Sequence, residues 1–507
     1  MLGTSRRLVG RVSAVSVLVL ALTMVTLHAS PAGADDRHRI MGGSPAPGDP
    51  RVVSLAMLGP EGWTQCSGAL WRPRLIITAA HCVTPQGTAN LVDRVAVFAP
   101  GVPALTYRDI GPQGPAAAQV TAILRPPSYV NASERVSPND IAVLVLDRDL
   151  ASAAFQRVAS WPEVQRWQQQ GVPVTHVGYG LTGPGQRTTV PNTANLALVA
   201  SASGSSGVRF GTAQTEQTAT CPGDSGSPTY RGTATGDVLV GVIAGSSASC
   251  TAGASGVPVV AGTANVGFVA LGYPDLLDAG LTAAGYPTIP GAPAAIAAGW
   301  LPGSPGSVVI AWQPTSRNAE SAVGVEVWDG DQLVCPVTTA SWCSVAGSAP
   351  GAHEYWARSV NAQNEGDSSS TPAGLEVPQA AGAALSSLAV PRPGPAQPWI
   401  LGQPVVAFAG CLPAKPNRAM LEVKSRGAWH AVARGAGRRD LTLCPSARRP
   451  VALTYAFTPA AGDLARLSPT GVGTVVARSS VDGRSRVVRR PAFATVDAWA
   501  ASLLPKA

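Results

Sequence analysis

Apolar runs in this sequence are short, and glycine or proline punctuates the stretches between them. Arg74-Leu75-Ile76-Ile77-Thr78, Ile141 to Leu146, Val174 to Val177 and Val238 to Ala244 each suit one buried strand. The 55 glycines and 45 prolines recur in the turn-rich segments that separate such runs. Glycine supplies the backbone conformations of tight turns, and proline removes an N–H that an interior helix needs. The chain is therefore expected to be all-β, built of barrels or sandwiches, with one moderate helix candidate at Trp161 to Gln170. A length of 507 residues exceeds one ordinary core and predicts two to four domains. Hydrophobic residues at 45% against 13% charged exclude a disordered chain.

The first 34 residues read as an export signal. Arg6, Arg7 and Arg11 form a positive end, Val12 to Leu27 is apolar, and Ala32-Gly33-Ala34 offers small residues for cleavage. The competing reading is a retained membrane anchor, since the apolar run is near the lower limit for spanning. Ser5-Arg6-Arg7-Leu8 also carries the arginine pair of a twin-arginine signal. No later segment is long and apolar enough to cross a bilayer, so the expected product is secreted, extracellular and free of the membrane. All eight cysteines, at 66, 82, 221, 250, 335, 343, 411 and 444, lie beyond the signal. An even number in an exported chain predicts disulfides, and the distribution suggests four local pairs in sequence order. None has the paired C-x-x-C spacing of a zinc site, and neither metal nor cofactor is expected.

Charge divides the chain into three. Residues 40–287 hold 13 Arg, no Lys and 14 acidic residues, residues 288–379 hold 2 basic and 8 acidic, and residues 380–507 hold 17 basic and 5 acidic. The net values are −1, −6 and +12, so the last third carries the basic character. Candidate linkers sit at these shifts, at Tyr286 to Gly291 and in the Ala-, Pro- and Gly-rich stretch from Val377 to Pro398.

A serine hydroxyl is a weak nucleophile at neutral pH and needs an adjacent base, itself held by an orienting carboxylate. Three segments offer those roles. Thr78-Ala79-Ala80-His81-Cys82 places a histidine at the end of an apolar strand. Asn139-Asp140-Ile141-Ala142 places an acid at the mouth of another. Cys221-Pro222-Gly223-Asp224-Ser225-Gly226-Ser227-Pro228 presents a serine in a glycine-flanked loop. In the order His, Asp, Ser, these segments resemble the three signatures of the chymotrypsin family, over roughly residues 40–285. The resemblance implies a double six-stranded antiparallel β-barrel with the site in the cleft between barrels. It implies His81 as general base, Asp140 as its orienting partner and Ser225 as the nucleophile that forms an acyl-enzyme. The N–H groups of Gly223 and Ser225 would form the oxyanion hole, where one donor is worth about 3 kcal/mol of transition-state stabilisation. Cys66–Cys82 would close a loop beside the base, and Cys221–Cys250 would tie the nucleophile loop to the pocket wall.

Arg39-Ile40-Met41-Gly42-Gly43 resembles the family's activation site, with Met41 where valine is usual. Cleavage after Arg39 would remove a propeptide of residues 35–39, and the freed ammonium of Ile40 would insert beside Asp224. An activating protease is thus one expected partner, and a protein or peptide substrate another. Six residues before Ser225 stands Ala219, where trypsins carry an aspartate, so cleavage after Lys or Arg is disfavoured. Ala244, Gly245 and Ser246 align with the pocket wall and depart from its usual serine, tryptophan and glycine. An uncharged small or medium residue before the scissile bond is the expectation.

Residues 291–379 read as alternating strands and look like a fibronectin type III domain. Trp312 would be the core tryptophan, Tyr355 the strand-corner tyrosine and Asn361 to Ser368 a late-strand turn, with Cys335–Cys343 as a local disulfide. Residues 398–490 read as a further β-sandwich stapled by Cys411–Cys444. Its charge has two readings, docking to an anionic surface such as a cell-wall polymer or a solvated basic face. No recognised nucleic-acid-binding motif is present. The alternative to a protease is a catalytically silent adhesin or surface-binding protein on the same scaffold. A serine esterase of the α/β-hydrolase type would need Ser before Asp and His.

Overall fold

The computed structural model describes residues 40–505 except 41–42, 104–105, 108–110, 113–115, 133–136, 151–154, 156, 182–187, 201–207, 215–217, 247–263, 301–306, 350, 370, 378–397, 404, 413–417, 435, 439–450, 464–466 and 469–470. The expected signal and propeptide, at 1–34 and 35–39, lie outside the described residues. Two six-stranded antiparallel β-barrels of chymotrypsin type come first, followed by further β-sheets. The first barrel comprises β1 (Val52–Gly59), β2 (Gly62–Arg72), β3 (Leu75–Thr78), β4 (Arg94–Val97), β5 (Ala118–Leu124) and β6 (Ala142–Leu146), closing in the order β1-β2-β3-β6-β5-β4. The second comprises β7 (Pro173–Gly178), β8 (Asn192–Val199), β9 (Arg209–Ala213), β10 (Pro228–Thr233), β11 (Gly236–Ser246) and β12 (Ala264–Val269). Its order is β8-β7-β10-β11-β12-β9, closed by pairing of Leu198 with Thr212.

The unbroken apolar runs of β3 and β6 follow from burial on both faces. Ile76, Ala142, Leu144 and Leu146 fill the first barrel. Their alternating neighbours Leu75, Ile77, Val143 and Val145 face the second, against Val177, Leu239 and Val242. Period-two geometry thus sorts each strand into barrel core and inter-barrel core.

The helix expected at 161–170 is α1 (Trp161–Gln170). Ser160 and Glu163 form a capping box at its start, and Gly171 at φ 61° ends it. A second helix, α2 (Pro274–Ala284), was not anticipated. It buries Leu277 and Leu281 in the inter-barrel core, and a Cβ on Gly280 would stand 2.7 Å from Val143 Cγ1. The expected linker after it is packed: Ile289 is fully buried in that same core and donates its N–H to Asp278 Oδ1 at 2.8 Å.

Two sheets then face each other. One holds β13 (Ala295–Trp300), β14 (Val308–Gln313) and β17 (Trp342–Val345). The other holds β15 (Gly324–Asp329), β16 (Gln332–Thr338), β18 (Gly351–Val360) and β19 (Ala373–Val377). Trp312 and Tyr355 lie in their shared core, and Cys335–Cys343 bridges one sheet to the other. The turn after β18 carries Glu365, fully buried against the first barrel. Its Oε1 accepts from Trp71 Nε1 at 2.8 Å and pairs with Arg72, while Oε2 accepts from Val158 N at 2.9 Å.

The final β region has a five-stranded sheet that includes β21 (Ala419–Ser425), β22 (Ala428–Arg434), β24 (Val472–Val481) and β25 (Arg484–Phe493). Beside it, β20 (Val405–Leu412) and β23 (Val451–Phe457) pair in a three-stranded sheet. The expected staple Cys411–Cys444 involves a residue outside the described set, since Cys444 lies there and Cys411 is placed only as a member of β20. A last helix, α3 (Val496–Leu503), seats Trp499 against Val309 and Ala311 of β14.

Candidate active site

The histidine segment leaves β3 at Thr78 and enters a 3₁₀ turn at Ala80–Val83. That turn points His81 at Asp140, which stands just before β6. The backbone N–H of His81 donates to Asp140 Oδ1 at 2.8 Å, and His81 Nδ1 lies 2.8 Å from Oδ2. Asp140 is 2% exposed and His81 half-buried. Burial disfavours the imidazolium, but the Asp140 charge and hydrogen bond outweigh it and raise the His81 pKa above its usual 6.5. Two neighbours of this pair escaped sequence reasoning. Tyr129 is buried beside Asp140, whose charge adds to desolvation in opposing ionisation of the phenol. Tyr273 donates to Asn139 Oδ1 at 3.1 Å, and Asn139 holds a left-handed φ of 60° immediately before the acid.

Ser225 sits on a turn clamped from both barrels. Ser67 N donates to Ser225 O at 2.9 Å from the first barrel, and Gly226 N donates to Ile243 O at 2.7 Å in the second. Gly223 and Gly226 hold φ of 97° and 78°. A Cβ on Gly226 would stand 2.0 Å from Thr78 Oγ1 and 2.3 Å from Ser67 O, so only glycine fits. Ser67 Oγ donates to Gly223 O at 2.8 Å and accepts from Tyr179 N at 2.9 Å, fixing the turn's other side. The N–H groups of Gly223 and Ser225 have no acceptor among the described residues. No hydrogen bond joins Ser225 Oγ to His81 Nε2 among them either.

The Cys66–Cys82 disulfide connects the two halves of this arrangement. Cys82 Sγ lies 3.9 Å from His81 Nε2 and 3.7 Å from Ser225 O. Both sulfurs are consumed in the disulfide, so their grouping with His81 offers no thiolate to a metal. Cys221 is also disulfide-bonded, and its expected partner Cys250 lies outside the described residues.

Asp224 is 1% exposed, and its carboxylate accepts from Gly180 N and Cys221 N, each at 2.8 Å. No cation pairs with it among the described residues. Burial pushes its pKa up to about 7 against those two hydrogen bonds. Ile40 is buried at 1% exposure, while Arg39 lies outside the described residues. Of the pocket candidates, Ala219 is fully buried and Ala244 is 6% exposed. The pairing of β11 with β12 slips between Ile243 and Gly245, which puts a bulge at Ala244. Ser246 is placed as the last residue of β11, and the facing 247–263 segment lies outside the described residues.

Residues 40–265 match the protein family described as Trypsin. Phenoloxidase-activating factor 1 of Holotrichia diomphalia is 29% identical over 181 residues, covering 32% of this chain and 49% of that protein. The chain thus spans about half the length of that relative. Granzyme M of Homo sapiens is 29% identical over 249 residues, 46% of this chain and 88% of that protein. The solved structure of HL collagenase is 16% identical with a TM-score of 0.36, covering 48% of this chain and 98% of its own.

Proposed function

Because residues 40–265 form a trypsin-family serine protease domain, we propose that the chain is a secreted serine endopeptidase working through His81, Asp140 and Ser225. Ser225 Oγ attacks the scissile carbonyl carbon while His81 Nε2 takes its proton, and the same proton then goes to the departing amine. Water then attacks the acyl carbon as His81 takes its proton, and His81 returns that proton to Ser225 Oγ as the ester bond breaks. Asp140 holds the ring and balances the imidazolium, and the Gly223 and Ser225 N–H groups receive the oxyanion. The observation that carries this reading is the Asp140–His81 pair beside a clamped serine turn with two N–H groups that lack acceptors among the described residues. A base–nucleophile hydrogen bond of this type tightens in the substrate complex. A fluorophosphonate probe is expected to label the processed chain at Ser225 and to leave Ser225→Ala unlabelled. No labelling after processing at Arg39 would favour the silent scaffold instead.

The same reading makes the chain a zymogen. An uncompensated buried carboxylate calls for a cation, and cleavage between Arg39 and Ile40 creates one at a residue that is already buried. With an uncharged, buried Ala219, the enzyme is assigned small or medium uncharged residues before the scissile bond. A peptide-library digest showing preference for Lys or Arg would refute that assignment. Residues 291–379 are read as a fibronectin type III-like spacer. Support comes from a three-stranded and a four-stranded sheet closing on Trp312 and Tyr355.

The basic region is read as a dock for an acidic cell-surface polymer. In the β21–β24–β25 register, Glu422 pairs with Arg478 and Arg478 with Val487, which puts Lys424, Arg478 and Arg489 on one outward face. Retention of the full chain on a dextran sulfate matrix should collapse as salt rises, and should weaken in a Lys424→Gln/Arg489→Gln variant. Equal retention of the variant would leave the basic face merely solvated.

A further inference from the structure

A cavity of about 290 Å³ lies where α1 and the Gly232–Thr235 turn of the second barrel meet strands β15 and β18, and its lining includes none of the proposed catalytic residues. Its arginines divide into two kinds. Arg157 is held by both oxygens of Glu163, at 2.9 and 2.7 Å, and Arg358 pairs with Glu326. Arg166 is different. Its guanidinium lies over Trp356, 3.9 Å from the ring centroid, and makes no hydrogen bond or ion pair among the described residues. Its Nη1 is buried with no acceptor.

The surroundings repeat that deficit. Arg231 gives Nη2 to Asp331 at 2.7 Å, but its Nη1 is buried without an acceptor, as is the indole N–H of Trp356. Two of the acids that act on Arg166 are already engaged, Glu163 by Arg157 and Asp331 by Arg231 and by Trp167 Nε1 at 3.2 Å, and the third, Glu354, forms no ion pair with it. Desolvation, with the nearby Arg157 charge, lowers the Arg166 pKa from its usual value despite Glu163, Asp331 and Glu354. The site has one unpaired cation, surplus donors and indole walls, and among the described residues no acid is hydrogen-bonded to Arg166.

We propose that this cavity binds a small organic carboxylate, paired with Arg166 and packed against the tryptophans. A planar guanidinium matches a planar carboxylate, and one uncommitted charge matches a monoanion better than a phosphate dianion. The cavity is at the lower end of small-molecule sites, which excludes a polymer as its occupant. Two sources carry this chemistry, a free organic acid and the terminal carboxylate of a peptide. Because barrel and sandwich both line the cavity, an occupant also tightens their union.

The test uses the full chain as Ser225→Ala, titrated calorimetrically and by tryptophan fluorescence with benzoate, benzamide, trialanine and trialanine amide. At least one acid is expected to bind with a Kd of about 1 mM or tighter. Its amide should bind at least about tenfold more weakly. Benzoate alone binding identifies the free-acid source, and trialanine alone the peptide end. Arg166→Gln should weaken binding about tenfold or more, and Trp356→Phe, which keeps the ring under Arg166, severalfold. Exposed Arg94→Gln should change nothing. The proposal fails if neither acid binds, if acid and amide bind alike, or if affinity survives Arg166→Gln. Should Arg166→Gln not fold, undiminished binding by Trp356→Phe overturns it as well.

Discussion

Asp224 and Asp140 are both buried, but among the described residues only Asp140 faces a side chain that can become its cation. For Asp224, folding raises the pKa from an ordinary 3.8 to about 7, so the folded chain holds this proton more tightly than the unfolded chain does. Stability is therefore lost as pH climbs from about 4 to about 7, by up to about 4 kcal/mol. The uncleaved Ser225→Ala chain should show that fall in Tm, and an added Asp224→Asn should flatten it. Cleavage after Arg39 should flatten it too, through the Ile40 ammonium. Parallel profiles for all three would remove the activation argument. Ser225, His81 and Asp140 stood out in the sequence as candidates because each sits in a distinctive short segment, and the structure pairs His81 with Asp140. Tyr129 did not, since it belongs to no motif although it lies close to Asp140 in sequence, and neither did the Tyr273–Asn139 contact, whose residues meet only in the folded chain.

Among elements, β3 and β6 were readable because burial on both faces leaves an unmixed apolar run. Helix α1 was readable to its ends, as Ser160, Glu163 and Gly171 are strong boundary residues. Helix α2 hid because alanine, glycine and threonine dilute its Leu277–Leu281 spacing, and its glycine serves close packing on Val143. The turn at Ala80–Val83 is too short to hold itself, and the Cys66–Cys82 bridge fixes it. Closing a loop of this size is worth about 3 kcal/mol. A Cys66→Ser/Cys82→Ser variant should lose that much by denaturant titration. Its kcat should fall as well, because Cys82 touches both the His81 ring and the Ser225 carbonyl. A loss of stability with unchanged kcat would reduce the bridge to a staple.

For the whole molecule, composition disclosed three regions of different charge but not how the first two join. Glu365 is a buried part of that joint, and nothing in its local sequence marks it as the acceptor for Trp71, Arg72 and Val158. Glu365→Ala should cost about 3–5 kcal/mol, because it strands the Arg72 cation and two N–H donors in a buried site. Glu365→Gln, which keeps an acceptor oxygen, should cost less. Thermal unfolding followed by loss of fluorophosphonate labelling measures both, and a neutral Glu365→Ala would mean that water enters the joint. The same carboxylate bears on how such a chain can be recombined. The double-barrel segment moved alone into another protein would carry Trp71 and Arg72 onto its surface or into a mismatched contact. Exchange of the following sheets for others would require the newcomer to bring an acid to that spot, as well as a partner for Arg231 where Asp331 stands, so inheritance of the two parts is coupled through a few acidic side chains.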